Sequence, residues 1–382
     1  MIKFIHHVSL GVALFLSAMA AFVLTEAGQL VNLPRTFAIG FFNAREAIAI
    51  VSIVCLLITV VIDWRYRILS RLYTSLSSLA VVGLLLAAFF IMPYFFFLPQ
   101  QNGAEYVHVK ASTGYLEDSE DVLVLEHDGS ATAFPTSRIW QPHIAGLEAN
   151  GQLVNMTYCV LTNSGVAYSP LVNNQTMDMK VLMQTHNNLV FFDENSGETV
   201  QQITGVLDSS GEKLKQLPTQ MMRWGDFKRA YPGGKVFYNE FDSVREQAVQ
   251  LMFGLPLQGY DNLERNNPIF PTLSLADTRI PNKTKIWAVE INGESIAVTR
   301  EHITRQTRIV TELGGQKVVL AYYPQFDSVG GFYLPDNVSE GALEHLDFYG
   351  YVAGQRLQRL NVFSEVYWMV WSHFHPDTRL LH

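Results

Sequence analysis

The chain has 382 residues, 48% of them apolar and only 16% charged, too apolar a balance for an ordinary soluble protein of this size. Its formal charge of −8 argues against nucleic acid as a partner. Two cysteines, Cys55 in an apolar run and Cys159 far downstream, exclude a disulfide framework.

The apolar excess sits at the start. Phe4 to Thr25 runs 22 residues without Asp, Glu, Lys or Arg, Ala47 to Ile62 runs 16, and Leu72 to Ala104 has none, with its apolar centre at about Leu79 to Leu98. A helix needs about 20 residues to cross roughly 30 Å of hydrocarbon. These runs predict a three-helix transmembrane anchor, with helices at about 4–25, 44–63 and 76–98, inside a first domain of 1–100. The short middle run borrows Phe41 and Phe42 and lets Arg45 and Asp63 reach the interface. A competing reading makes the first run a cleaved secretory signal ending at Ala18-Met19-Ala20, but the run continues through Val23 and Leu24.

Arg65, Arg67 and Arg71 in the second loop outnumber Arg35 and Arg45 in the first. That excess places the second loop and the N-terminus in the cytoplasm. Three crossings then put the large C-terminal domain on the periplasmic or extracytoplasmic side of the cell (inner) membrane. Residues 101–382 hold 21 basic and 32 acidic residues, a formal charge of −11. The bilayer is one expected partner, a protein of the same membrane another.

Val122 to Cys159 can be laid on Ile286 to Tyr323 without a gap at a constant offset of 164. Nine identities in 38 positions, among them Glu126 with Glu290, Gly151 with Gly315 and Tyr158 with Tyr322, make a distant likeness above chance. Each stretch opens with a hairpin signal, Val122 to Leu125 turning at Asp128-Gly129 into Ala131 to Phe134, and Ile286 to Glu290 turning at Asn292-Gly293 into Ser295 to Val298. A short helical stretch and a strand follow. Asn188 to Phe192 and Val200 to Val206 read as strands. Aromatic residues then recur at helical spacing before a proline, Trp224 and Phe227 before Pro232, and Tyr367, Trp368, Trp371 and Phe374 before Pro376. Hairpins with isolated helices and no regular βαβ alternation predict an α+β fold with a largely antiparallel sheet. The expected organisation is a first lobe at 101–240, a connector at 241–281 and a second lobe at 282–382, with a shared core.

At the same offset His143 faces Thr307 and Cys159 faces Tyr323, so a His-Cys pair exists in the first lobe alone. Pro142 suits the first turn of a helix, which would set His143 at a helix N-terminus where the dipole keeps the ring neutral. Alternation along Leu153 to Leu161 puts Val154, Met156, Tyr158 and Val160 on one face and Asn155, Thr157 and Cys159 on the other.

Several segments together resemble the family of the domain of unknown function 3179, found in bacterial and archaeal proteins that are often exported or membrane-anchored. They are Glu120 to Phe134, Trp140 to Ile144, Thr157 to Thr162, Ser196 to Glu198, Leu214 to Pro232, Val289 to Glu294 and the ending Trp371 to Arg379, and the likeness covers most of 106–382. The resemblance implies Trp-His-Glu-Ile near the first His and Tyr-Cys-Pro-Leu-Cys near the cysteine. This chain has Pro142 before the His, Val160 for Pro and Thr162 where a second Cys is common, which excludes a two-thiol redox pair. The resemblance implies no activity.

Three readings of Cys159 and His143 follow. In the first they bind a ligand or a soft metal, copper(I) fitting sulfur and imidazole, with His127, His186 or Met156 as further donors. In the second His143 activates Cys159 as the nucleophile of a thiol enzyme on a cell-envelope substrate, though the Ser-His-Gly-Cys signature of periplasmic transpeptidases is absent. In the third both residues are structural. In His373-Phe374-His375, residues two apart on a helix cannot share a ligand, and His375 is expected to cap the helix. The sequence thus points to a membrane-anchored extracytoplasmic binding or accessory protein, with a Cys-His enzyme and a purely structural subunit of a membrane complex as the alternatives.

Overall fold

Three long helices lead the chain: α1 (Ile2–Leu24), α2 (Arg35–Tyr66) and α3 (Arg71–Phe90), followed by one turn, α4 (Pro93–Phe96). The computed structural model describes residues 1–127, 129–257, 259–260 and 267–382. It forms two compact units, one of Met1–Phe97, Val181–Thr185 and Phe270–Thr272, the other of Leu98–Lys180, His186–Ile269 and Leu273–His382.

In the first unit α1, α2 and α3 are each long and apolar enough to cross a membrane. The second starts at Arg35, well before the expected 44, because Pro34 stands at its N-cap with φ already near the helical value. The third stops at Phe90, short of 98. Met92 precedes Pro93 and is driven to extended backbone, and the chain restarts with Pro93 at the first position of α4. The buried side of α1 carries small and polar residues, among them Ser9, Ala13, Ser17 and Ala20, that let backbones approach closely. Large apolar side chains such as Phe4, Phe15, Leu57 and Leu79 face outward.

One ionisable node ties these helices together. His6 Nε2 on α1 stands 3.0 Å from Asp63 Oδ1 on α2, and both side chains are buried. The other Asp63 oxygen accepts from Thr74 Oγ1 on α3 at 2.5 Å, and Leu69 N–H donates to Oδ1 at 3.1 Å.

The second unit is built of β1 (Glu105–His108), β2 (Asp121–His127), β3 (Ser130–Pro135), α5 (Thr136–Ile139), β4 (Ile144–Ala149), β5 (Gln152–Cys159), β6 (Ser164–Tyr168), β7 (Leu171–Val172) and β8 (Gln175–Thr176). Strands β9 (Met179–Thr185), of which Val181–Thr185 belong to the first unit, β10 (Asn188–Asp193), β11 (Thr199–Gln201), β12 (Gln216–Leu217) and β13 (Thr219–Arg223) lead to α6 (Trp224–Ala230), β14 (Lys235–Tyr238) and α7 (Val244–Leu257). Then come β15 (Lys285–Ile291), β16 (Glu294–Thr299), α8 (Arg300–Gln306), β17 (Arg308–Leu313), β18 (Gln316–Tyr323) and β19 (Ser328–Tyr333). The chain closes with β20 (Tyr351–Val352), β21 (Gln355–Arg356), β22 (Phe363–Tyr367), α9 (Trp368–Phe374) and β23 (Arg379–Leu381).

One sheet runs β1-β14-β3-β2-β13 and another β22-β15-β16-β23; both are antiparallel except that β14 lies parallel to β3 and β23 parallel to β16. A third runs β12-β6-β5-β4 and a fourth β17-β18-β19, both antiparallel. The α+β class is therefore as expected, with few helices and a mainly antiparallel sheet. Asn292-Gly293 makes the β15–β16 turn with both residues at positive φ, as a two-residue hairpin demands. At the matching β2–β3 turn Gly129 also has positive φ, while Asp128 lies outside the described residues. So do residues 258 and 261–266 of the expected connector. The strand expected over Val200 to Val206 ends at Gln201, because Gly205 takes φ +68 and turns the chain.

Strand β2 is buried on both faces, which is why its sequence reads Val-Leu-Val-Leu without polar alternation. Val122 and Val124 join a core with Trp224, Phe227, Val319 and Phe332, while Leu123 and Leu125 join another with Phe134, Val154 and Met156. Strand β18 is shared in the same manner, Val319 and Ala321 on the first core, Val318 and Leu320 on a third with Trp287 and Val289. The first core thus draws on both ends of the unit.

The node at Asp63 should dominate the stability of the helical unit. Asp63→Ala removes three polar partners and strands His6, a loss of about 3 kcal/mol. Thermal unfolding of the full chain in detergent checks this; a change below about 0.5 kcal/mol, the range of an ordinary surface substitution, would show that the node carries no load.

Candidate functional site

His143 does not stand at a helix N-terminus. It follows α5, and its N–H donates to Ile139 O at 2.9 Å from a left-handed conformation with φ 59°. The helix ends at Ile139 with Trp140 as its C-cap, and the turn closed by the His143 bond leads the chain into β4. Thr307, after α8, has the same conformation (φ 56°) and the same bond, to Ile303 O at 2.8 Å. The His143 ring is fully buried and its Nδ1 donates to Tyr158 O at 2.9 Å. Burial pulls its pKa from 6.5 down to about 4, against the opposing pull of the Tyr158 bond. The ring is neutral, as expected, but because it is desolvated and not because of a dipole.

The face of β5 that carries Asn155, Thr157 and Cys159 is as buried as the Val154, Met156 and Tyr158 face. It is closed by a network of neutral side chains. Thr162 Oγ1 stands 3.4 Å from Cys159 Sγ and donates to Asn187 O at 2.8 Å. Asn188 Nδ2 donates to Thr162 Oγ1 at 2.9 Å and to Gln202 Oε1 at 2.7 Å. Gln202 Nε2 reaches Thr157 Oγ1 at 3.3 Å, and Gln201 Nε2 donates to Asn188 Oδ1 at 2.8 Å. Burial pushes the Cys159 thiol up, only partly countered by the Thr162 bond.

The structure bonds His143 to the carbonyl just before Cys159 and gives the sulfur its contacts with Thr162 and Asn187. Among the described residues no three His, Cys, Asp or Glu side chains group as a metal site. The further donors are engaged elsewhere: His127 Nε2 with Thr132 Oγ1 at 2.8 Å, Met156 in the apolar core, and His186 with its ring centroid 4.5 Å from that of His373. His375 caps α9, its N–H donating to Trp371 O.

A second place carries chemistry that the sequence did not reveal. A cleft of about 790 Å³ is lined by Glu126, Tyr231, Tyr349, Tyr351, Arg356 and Arg359, among others. Glu126 Oε2 accepts from Arg356 Nη2 at 2.6 Å, and Oε1 accepts from Arg359 Nη2 at 2.7 Å and from the Tyr231 hydroxyl. Arg356 Nε donates to Tyr349 O at 3.1 Å, while Arg359 lies over Phe332 and Phe348. Burial and the Glu126 charge hold the Tyr231 phenol protonated. Glu126 showed in the sequence only as an identity with Glu290, and Arg356 and Arg359 carried no motif. Their meeting depends on pairing across 230 residues of chain, which local pattern cannot encode.

The model of the family DUF3179, described as a protein of unknown function, matches residues 98–378. The chain belongs to this family. No curated protein and no solved structure matches it. Both the Cys159 network and the Glu126 cleft lie within the DUF3179 match.

Two measurements follow. Iodoacetamide at neutral pH should label Cys159 in the native chain at least tenfold more slowly than in the denatured one; rapid native labelling that slows in His143→Ala would restore the thiol nucleophile. Stability should also fall with acid. His143 is neutral when folded and titrates near 6.5 when unfolded, so its contribution is complete above pH 6.5 and drains away towards pH 4, by about 3 kcal/mol. His143→Asn, which tolerates the left-handed backbone, should flatten that slope in pH-dependent denaturant titrations, leaving the part due to His375, whose pKa burial also lowers to about 4.

Proposed function

We propose that this DUF3179 protein is a membrane-tethered, extracytoplasmic binding or accessory protein, and that its ligand occupies the Glu126 cleft. The observation that carries this reading is the contrast between the two places. The thiol and imidazole are buried and engaged in neutral hydrogen bonds, whereas the cleft is open, of ligand size and lined by aromatic and charged groups. Glu126 accepts from three fixed donors, which suits positioning better than proton transfer. An open cleft also favours binding over a purely structural role, and the buried sulfur speaks against a thiol enzyme.

In this reading the N-terminus and the Arg65–Arg71 loop are cytoplasmic and the domain after about residue 100 projects outward, where a protein of the same membrane can reach it. The domain is an internal duplication, with lobes at 101–240 and 282–382 joined by 241–281. Supporting this, β2, β3, β4, β5 and β6 begin 164 residues before β15, β16, β17, β18 and β19, and β13, α6 and β14 begin 144 before β22, α9 and β23. His143 and Thr307 hold the same left-handed position in the two series. A copper-binding Cys159–His143 pair would need donors beyond those that the described residues bring together.

Native mass spectrometry of the full chain, solubilised from its own membrane, tests the site. A bound small molecule is expected, lost on Arg359→Ala and kept on Cys159→Ser. Loss on Cys159→Ser with retention in Arg359→Ala would overturn the cleft and return the Cys-His pair as the site. For topology, a phosphatase fused after residue 101 should be active and one fused after residue 68 inactive; the reverse would invert the orientation.

A further inference from the structure

We infer that the cleft recognises a carboxylate-bearing saccharide, an inference that rests on the cleft being the binding site. Two guanidinium groups share one carboxylate there, Arg356 on one oxygen of Glu126 and Arg359 on the other. Arg359 is largely enclosed, with its remaining bonds going to Gln220 Oε1 and Phe348 O, and serves as scaffold. Arg356 is different. Its side chain is 46% exposed, its Nε and Nη2 are fixed by Tyr349 O and Glu126, and its Nη1 makes no hydrogen bond among the described residues. A guanidinium held along one edge, with the other nitrogen open, is preorganised for one more planar oxyanion.

The charge sets the class of anion. Among the described lining residues the Asp, Glu, Lys and Arg side chains are Glu126, Arg356 and Arg359, a balance of one positive charge beside His127. A single carboxylate matches it, whereas a phosphate dianion would meet Glu126 with charge to spare. The excess cation is selective because it sits in a domain of formal charge −11, which repels highly charged anions at longer range.

The walls set the rest of the ligand. Tyr231, Tyr349 and Tyr351 line the cleft, and the Tyr351 ring, half exposed, lies 5.7 Å beneath the Arg356 guanidinium. Flat aromatic faces beside hydrogen-bonding edges suit a sugar ring, whose C–H face stacks on tyrosine while its hydroxyls reach polar groups. Aliphatic lining is limited to Leu357, Ala230 and two prolines, too little for an acyl chain. About 790 Å³ accommodates two or three such rings.

Isothermal titration of the full chain in detergent with cellobiouronate, a disaccharide of one glucuronate and one glucose, and with its methyl ester as the uncharged counterpart, tests the inference. Cellobiouronate is expected to bind, the ester at least tenfold more weakly, and Arg356→Ala to weaken the acid at least tenfold. Arg356→Lys, which keeps an ion pair with Glu126, should fall between, so that misfolding does not explain the loss. Tyr351→Ala should weaken acid and ester alike. Equal affinity for acid and ester, lost in Arg356→Ala, would overturn the anionic class and leave the cleft standing as a binding site. Undiminished binding to Arg356→Ala would overturn the cleft itself, and failure of both sugars to bind would overturn the saccharide.

Discussion

Strands covered on both faces govern this fold. β2 and β18 each sit between two apolar clusters, and one of those clusters is common to both strands. A strand with no wet face must carry a continuous apolar sequence, and every polar group beside it must find a partner inside the protein. The first demand explains Val122 to Leu125 and Val318 to Ala321. The second applies to β5, also buried on both faces, where Asn155 meets Gln101 and Met179, Thr157 meets Gln202 and Cys159 meets Thr162.

The chemistry of the thiol and imidazole follows from that burial. Desolvation raises the Cys159 thiol and lowers the His143 imidazole, so both stay uncharged and neither can activate the other as an ion pair. The neutral amide network costs little because its donors and acceptors match. The cleft obeys the opposite rule. Charges are kept at the rim of the shared core, where Glu126 joins Tyr231 to the Arg356–Arg359 segment and solvent still reaches them.

Much of the architecture was legible in the residues themselves. Long uncharged runs announced the three helices, and Asn292-Gly293 and its counterparts announced the hairpins. Helix ends were less legible, since Pro34 and Pro93 moved them by competing with hydropathy. Pro142 misled for a related reason: a proline can open a helix or close one, and here the left-handed backbone at His143 decides. Alternation along β5 separated Cys159 from the Val154, Met156 and Tyr158 face but left its surroundings open, because period two says which side a residue takes and nothing about what covers that side. The cleft was illegible, since its charged groups lie far apart in the chain and have no spacing to read.

Thr162 stands where the family resemblance implies a second cysteine, and its hydroxyl lies 3.4 Å from the Cys159 sulfur. One side chain therefore separates an interior with a single thiol from one whose two thiols could give up two electrons and two protons to an oxidant and close a crosslink. With oxygen in place of sulfur at 162, no disulfide can join positions 159 and 162, whatever the redox state of the surroundings.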